Sequence, residues 1–458
     1  MDGVPGRSGP ALWRHRDFML LWGGQTVSEL GSAVTVLALP LTAVVVLHAS
    51  TLQVGVLSAT ATAAFLVIAL PAGAVVDRLA KRGLMLMCDA ARMLIIGSVP
   101  LAAALGVLTM AQLYVVALAT GVATVFFDVA YMSYLPLLVP PDQLADGNGK
   151  LQTTAQASMV AGPGLGGALV GLFGAAGAMA ADAVSYLVSL SSLLLIRTAE
   201  PARGRAARGG VEAGPGRDLA RGRRWRRELG AGLAFVFRDP ILRKITACTG
   251  TANLFGSMIL ALQIIFLVRV LHVRPAYTGL IVALAGLGGV AGGAASGPLS
   301  RWIGSARIIW VSVIGLGPAA LLIPLAQPGP GVLLYVAGWA SYAFSGVLYN
   351  VAQVSYRQAV CPPELLGRMN AAVRWIVWGT LPLGGLLGGI LGSALGIRPT
   401  LWVGAVGTWA AGLWVFFSPL RGMRDVPVAA WRRLPPAGAA AGREGPAAAG
   451  GGPSTVTG

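Results

Sequence analysis

Charged side chains are what this chain lacks most. Only 11% of its 458 residues are Asp, Glu, Lys or Arg, against about 25% in a soluble domain. Hydrophobic residues make up 55% and mean hydropathy is +0.73. Apolar runs recur along the whole length, which excludes both a soluble globular class and a protein held by a single anchor. Cysteine is almost missing. Cys88, Cys248 and Cys361 stand far apart, without the spacing of a disulfide framework, a zinc ribbon or a redox pair. Only three histidines occur; His48 and His272 fall in loops, and no metal set forms around them. There is no nucleotide loop and no Ser/His/Asp constellation, so neither an enzyme nor a cofactor is expected. A cleavable signal is not expected either. The first apolar run, about 30 residues from Phe18, is too long for a signal core and lacks a convincing cleavage site.

What is present is a series of spans, each near the roughly 20 residues that a bilayer requires. Twelve are expected, near 18–47, 52–76, 84–107, 111–138, 149–173, 176–196, 243–271, 276–300, 307–326, 331–358, 369–393 and 399–418. The expected organisation is a basic arm (1–16), a six-helix bundle (17–196), a polar central loop (197–240), a second six-helix bundle (241–420) and a disordered tail (421–458). The 34 Lys and Arg residues set the orientation. Only Arg269, Arg274 and Arg398 belong to one set of alternate loops and Arg92 lies deep inside the third span; the other 30 belong to the opposite side. Both termini and the central loop are therefore expected in the cytoplasm. The net charge of +17 is a topology signal, and the basic block 221–227 suits anionic lipid. Nucleic acid is excluded as a partner because no folded module surrounds that block.

The chain repeats itself. His48 and Gly55 match His272 and Gly279 at a shift of 224, and Gly73 matches Gly297 at the same shift. Pro140, Pro141, Asp142 and Asn148 match Pro362, Pro363, Glu364 and Asn370 at a shift of 222. Two parallel six-helix halves follow, an architecture in which the site lies between the halves near the midplane.

An ionised side chain at the bilayer centre costs about 2.5–3.5 kcal/mol on insertion scales, so each buried one asks for a reason. Glu29 lies eleven residues into the first span, roughly 16 Å deep at about 1.5 Å per residue. Gln25, Ser28, Glu29 and Ser32 share one arc. That arc faces either a cavity or another helix that holds the carboxyl protonated. Thr120, Thr124, Asp128 and Tyr131 form a stripe on the fourth span. Asp128 reads either as a cavity acid or as a partner of Lys81 or Arg78 nearer the cytoplasm. At the repeat shifts Asn253 stands opposite Glu29 and Asn350 opposite Asp128. Carboxylates exchange protons and amides do not. The first half is therefore expected to couple protons through Glu29 and Asp128. The second half is expected to offer uncharged cargo contacts: Asn253, Ser257, Tyr342, Tyr349, Asn350 and Gln353, with Gln25 and Ser32 across from them. Asp89 and Arg92, three apart, read as a mutually neutralising pair; Asp182 reads as solvated near the outer end of the sixth span. The fifth span holds Gly162, Pro163, Gly164, Gly166 and Gly167. These formally fit a dinucleotide fingerprint, which is rejected because no strand precedes them; they read as a bend with close packing. Glycines at spacing four, Gly289, Gly293 and Gly297 and then Gly384, Gly388 and Gly392, read as packing seams.

The turn between spans two and three runs Gly73-Ala-Val-Val-Asp77-Arg78-Leu-Ala80-Lys81-Arg82. It resembles the Gly-x-x-x-Asp-Arg-x-Gly-Arg-Arg/Lys loop of the major facilitator superfamily, with Ala80 replacing the second glycine. The resemblance covers about residues 12–420. It is closest to an exporter branch that includes macrolide-efflux and enterobactin-export proteins, whose members share an Asp…Arg pair in helix 3, an acid in helix 4 and a Gly-Pro segment in helix 5. The glycine that the branch carries nine residues earlier in helix 5 is Thr153 here. The resemblance implies an all-α membrane protein of twelve helices in two pseudo-symmetric bundles. It further implies a multi-pass place in the cell membrane, that of bacteria, and a proton-coupled exporter of a lipophilic drug-like or siderophore-like small molecule. Gly73, Asp77, Arg78, Lys81 and Arg82 would form the gating turn. A monomer with small-molecule substrate, protons and lipid as partners is expected. Uptake by proton symport through the same fold, and a membrane sensor or scaffold without transport, stand as alternatives.

Overall fold

The computed structural model describes residues 12, 15–76, 79–140, 143–198, 230 and 233–426. Helices dominate: α1 (Arg16–Leu41), α2 (Thr51–Val76), α3 (Lys81–Ala104), α4 (Met110–Leu138), then one helical stretch, Leu144–Leu195, that breaks at Gly174. Its two arms are α5 (144–173) and α6 (175–195). The second half follows with α7 (Pro240–Ile265), α8 (Pro275–Ile303), α9 (Arg307–Leu316, extended to Leu325), α10 (Val332–Val360), α11 (Pro363–Ala394) and α12 (Ile397–Ala410). Nine helical stretches among the described residues are long and apolar enough to cross a membrane. The break at Gly174 divides one of them, and α2 and α12 complete the twelve expected spans. The expected divisions at 1–16, 197–240 and 421–458 fall largely outside the described residues.

Local sequence sets the helix ends. Asp239 caps α7, its carboxylate accepting from the Ile241 and Leu242 amides at 2.8 Å, with Pro240 at the first helical position; donors left over at a helix start are satisfied in this way. Gly174 has φ of 75°, a left-handed conformation that glycine adopts without strain, and there the chain reverses between α5 and α6. The sequence repeat returns in the backbone. α1 and α7 each end in a π-helical turn, Thr42–Val46 and Phe266–Val270. Each turn leads to a histidine at positive φ, 48° at His48 and 54° at His272.

Large side chains such as Leu94, Leu172 and Trp302 are exposed, as the lipid face of a membrane helix requires. Lipid offers no hydrophobic drive for one helix to seek another, so small residues and interhelical hydrogen bonds carry the packing. Within the first half, Gly24 and Gly31 of α1 lie against Ser192 and Ser185 of α6. The seam of α8 on α10 runs through Gly288 and Gly292, against Ala340 and Phe344, one residue off the expected Gly289 and Gly293, which touch side chains only loosely. Gly384, Gly388 and Gly392 of α11 pack on α7.

The halves meet in two symmetry-related places. A Cβ on Gly389 of α11 would lie 2.9 Å from Gly55 Cα on α2, and one on Gly167 of α5 would lie 2.9 Å from Gly279 Cα on α8. Gly55 and Gly279 are one repeat apart, as are Gly167 and Gly389. Both approaches sit toward the helix ends beside the α1–α2 and α7–α8 loops. At the same end Arg269 reaches across from the second half and donates to the Ala49 carbonyl at 2.7 Å.

Candidate functional site: a cavity with buried acids

A cavity of about 600 Å³ lies among α1 to α6, closed on the other side by Leu260, Ala261, Gln263 and Ile264 of α7 and Val282 of α8. Most of its wall is apolar, including Leu37, Leu57, Phe65, Ile96 and Val116. The polar arc of α1 faces it: Gln25, Ser28, Glu29 and Ser32 line the wall, and Thr35 continues the arc one turn further. Gln25 Nε2 donates to Glu29 Oε1 at 3.1 Å, which leaves Oε2 free of that amide. Across from them Thr120, Thr124 and Asp128 of α4 line the same wall. Asp128 lies within the electrostatic reach of Glu29, Arg92 and, from the second half, Arg374; the Arg374 guanidinium stacks 4.2 Å over the Trp378 ring.

Arg92 is the buried cation of this wall, only 4% exposed. Its Nη2 is 2.5 Å from Asp89 Oδ1, and Ser189 donates to Asp89 Oδ2 at 2.7 Å. The guanidinium is held between Phe127 and Tyr186, 4.3 and 4.6 Å from the ring centres. Cation–π contact is strongest where water is excluded, so the two rings replace hydration that burial removes. Asp89 and Arg92 form the expected pair, but Arg92 also lines the cavity.

Asp182 corrects the sequence reading. It is fully buried, at 0% exposed, and lines the cavity. The tight reversal at Gly174 starts α6 at once, so Asp182 lies two turns deep rather than at a wet helix end. Its chain neighbours are apolar, and an acid in an apolar run was the available signal. Thr35 and Tyr186, also on the wall, carried none.

The residues expected from the second half are elsewhere. None of Asn253, Ser257, Tyr342, Tyr349, Asn350 and Gln353 lines the cavity. Asn253 donates to the Val377 carbonyl at 3.2 Å and Ser257 to the Leu254 carbonyl at 3.1 Å. Tyr349 donates to the Ile245 carbonyl at 3.1 Å, Gln353 donates to Asn350 at 2.9 Å, and Tyr342 meets Trp339 edge-on at 5.3 Å. Asn253 ties α7 to α11 and Tyr349 ties α10 to α7; the residues of α7 that line the cavity, Leu260, Ala261, Gln263 and Ile264, lie further along that helix.

The glycine-proline segment of α5 is a packing device at this wall. Gly162 lies against Ala33, Gly166 against Val34 and Leu37, and Gly167 against Gly279, while Pro163 lines the cavity. Of the turn between α2 and α3, Gly73 lies in the last turns of α2, and Asp77 and Arg78 lie outside the described residues. Lys81 donates to the Val76 and Leu79 carbonyls at 3.0 and 3.3 Å. Arg82 donates to the Leu193 and Leu194 carbonyls at 3.0 and 2.9 Å. These bases bond the last carbonyls of α2 and α6, where cations complement the helix dipole.

Twelve helices in two related halves around a largely apolar cavity with a few acids on its wall are the architecture of a multi-pass membrane transporter. The chain belongs to the Major Facilitator Superfamily, whose family model matches residues 21–381, and it is a secondary transporter of that superfamily. It is 24% identical over 384 residues to the multidrug efflux pump Tap of Mycolicibacterium fortuitum, covering 81% of this chain and 88% of the relative. It is 25% identical over 394 residues to macrolide efflux protein A of Streptococcus pyogenes, covering 83% and 90%. Among solved structures, a bacterial homologue of the human lysosomal transporter Spinster, inward-facing and occupied, superposes with a TM-score of 0.68 at 17% identity, over 89% of this chain and 97% of that one. The nucleoside transporter NupG superposes with a TM-score of 0.65 at 13% identity, over 87% and 98%.

Proposed function

We propose that this chain exports a lipophilic, drug-like molecule in exchange for protons, by alternating access. The observation that carries the reading is the placement of Glu29 and Asp128 on the wall of one largely apolar cavity. Carboxyls there can exchange protons with cavity water in one state and lose that contact in the next. An apolar wall suits a lipophilic cargo, and three acids against one guanidinium favour a neutral or cationic molecule over an acidic siderophore. The efflux named for two relatives supports the direction. A membrane potential supplies about 2.3 kcal/mol per charge per 100 mV, so one or two protons drive a useful gradient. With both termini taken as cytoplasmic, the paired glycine contacts and Arg269 would lie at the outer end, which supports reading this state as inward-facing. The turn from Gly73 to Arg82 then faces the cytoplasm and closes that side in the opposite state. A monomer suffices, since one chain holds both halves.

The test is accumulation of ethidium and erythromycin by cells that express the chain, with and without an uncoupler. Export predicts lower accumulation than in control cells, reversed by the uncoupler and by Glu29→Gln. Accumulation that rises with expression and collapses with the uncoupler would mean uptake by symport. No flux of any probe, with a partner held through 197–240, would mean a sensor or scaffold.

A further inference from the structure

We infer that Asp182, with Thr35 and Ser185, forms a second proton-carrying site, built between α1 and α6 and distinct in place from Glu29 and Asp128. The inference rests on the proton-coupled reading above and adds to it where another proton is held. Asp182 is wholly buried, and a buried carboxylate must be paired or neutral. Among the described residues no counter-ion is left for it. Arg92 is the nearest cation, and it is bonded to Asp89 at 2.5 Å and covered on both faces by aromatic rings.

The donors around the Asp182 carboxyl are the hydroxyls of Thr35 and Ser185, and a neutral hydroxyl leaves the charge of a carboxylate in place. The Ser185 hydroxyl stands 2.7 Å from the Asp182 carbonyl oxygen and 3.1 Å from Oδ1, so its single hydrogen is shared between them. The Thr35 hydroxyl lies beside the carboxyl as the second donor and is only 9% exposed. One proton on the carboxyl removes the charge, and Thr35 Oγ1 can then accept from it.

The fold makes room for this carboxyl. A Cβ at Gly31 of α1 would stand 2.7 Å from Asp182 Oδ1 and 2.6 Å from Ser185 Cβ, so the absence of a side chain there is what lets the acid lie between the helices. A route also exists. Asp182 and Thr35 line the same cavity as Glu29. Between them the hydroxyls of Ser32 and Tyr186 are 2.9 Å apart, one turn from each acid. The groups facing Asp182 are thus Glu29, Ser32 and Thr35 on α1, the Asp89–Arg92 pair on α3, Asp128 on α4, and Ser185 and Tyr186 on α6 itself. Apart from the closed pair on α3, none of these is a base.

The experiment is infrared difference spectroscopy of the purified full chain in lipid nanodiscs, stepped between acid and alkaline pH, with proton uptake titrated in parallel. Asp182→Asn is expected to remove one component of the protonated carboxyl band and one proton from the uptake. Asp182→Glu keeps a component, and Thr35→Val shifts the band in frequency without loss of a proton. In proteoliposomes with ethidium as the probe, Asp182→Asn lowers the protons moved per ethidium by one. An unchanged band and proton count in Asp182→Asn, where Glu29→Gln alters both, would overturn the inference and leave antiport standing. Loss of the component in both Asp182→Asn and Asp182→Glu would also overturn it, marking the residue as a packing element. No change in any of the variants, with ethidium flux indifferent to an uncoupler, would overturn the inference and the antiport reading together.

Discussion

Replacing Gly279 by alanine tests how the two halves close on each other. An added methyl at that position would meet the Pro163 carbonyl and come within 2.6 Å of Gly167 N and 2.7 Å of its Cα. These are backbone atoms, so no rotamer change relieves the overlap. Ordinary heavy-atom contact needs about 3.5–4.0 Å, and α5 and α8 must therefore part by about 1 Å. Overpacking of this kind costs about 1–3 kcal/mol. Only the state in which these ends are apposed bears that cost. The equilibrium should thus move toward the state open at this end by roughly 5- to 150-fold, at about 1.4 kcal/mol per tenfold. Pulsed spin-label distances between Gln53→Cys and Arg274→Cys, both on exposed positions across the halves, read the shift; Cys88, Cys248 and Cys361 are buried. A longer-distance population should grow. Gly55→Ala, the repeat-related change, should act in the same direction. Gly286→Ala is the control, since nothing lies within 4 Å of a Cβ there. An unchanged distribution in Gly279→Ala, or an equal shift in Gly286→Ala, would refute the reasoning.

Arg92→Met should lower the thermal stability of the detergent-solubilised protein by an amount equivalent to about 3–5 kcal/mol, because it strands a buried carboxylate; Asp89→Asn combined with it should recover much of the loss. Arg269→Ala removes a charged donor from the Ala49 carbonyl, worth about 1.5–3 kcal/mol, and should lengthen the same spin-label distance as Gly279→Ala. At the other end, the Ser305 amide, 3.0 Å from its carboxyl, holds Asp425 below the usual carboxylate range. Its folded value is the depressed one, so the tether between 305 and 425 is present above the ordinary carboxylate value and is lost as pH falls through the lower one. Amide exchange at Ser305 should quicken over that acid range, and Asp425→Asn should show fast exchange at neutral pH.

The fold was legible because a membrane span is written in composition alone. Twelve runs, alternate basic loops and two repeats, with His48 and His272 as markers, needed no knowledge of contacts. The same repeat reappears as two left-handed histidines after two π-helical turns. Where a residue fails to follow its repeat, sequence loses its grip. Asn253 and Asn350 stand opposite Glu29 and Asp128 by number, yet their amides bond Val377 and Gln353 rather than facing the cavity. Asn253 shares a face of α7 with Leu260 but lies two turns nearer Asp239, so depth along the helix, which no local pattern records, decides what it meets. Asp182 failed for a different reason. Its depth depends on how fast the chain turns at Gly174, and a one-turn reversal and a longer loop look alike in sequence.

The asymmetry of the cavity has a physical consequence for coupling. Buried acids repel one another at short range, and each that ionises raises the cost of the next. Glu29, Asp128 and Asp182 line one wall, on three different helices of one half, with Arg92 already committed to Asp89. Full ionisation would place three negative charges around a mostly apolar space. On the proton-coupled reading a cationic cargo or protons would supply the balance, and the two would compete for the same charge. Exchange of one for the other then needs no long-range signal. On the proton-coupled reading it needs only that the second half, which meets the cavity through Leu260, Ala261, Gln263, Ile264 and Val282, places no base in the lining itself; Arg374, which acts on Asp128 from that half, is stacked on Trp378.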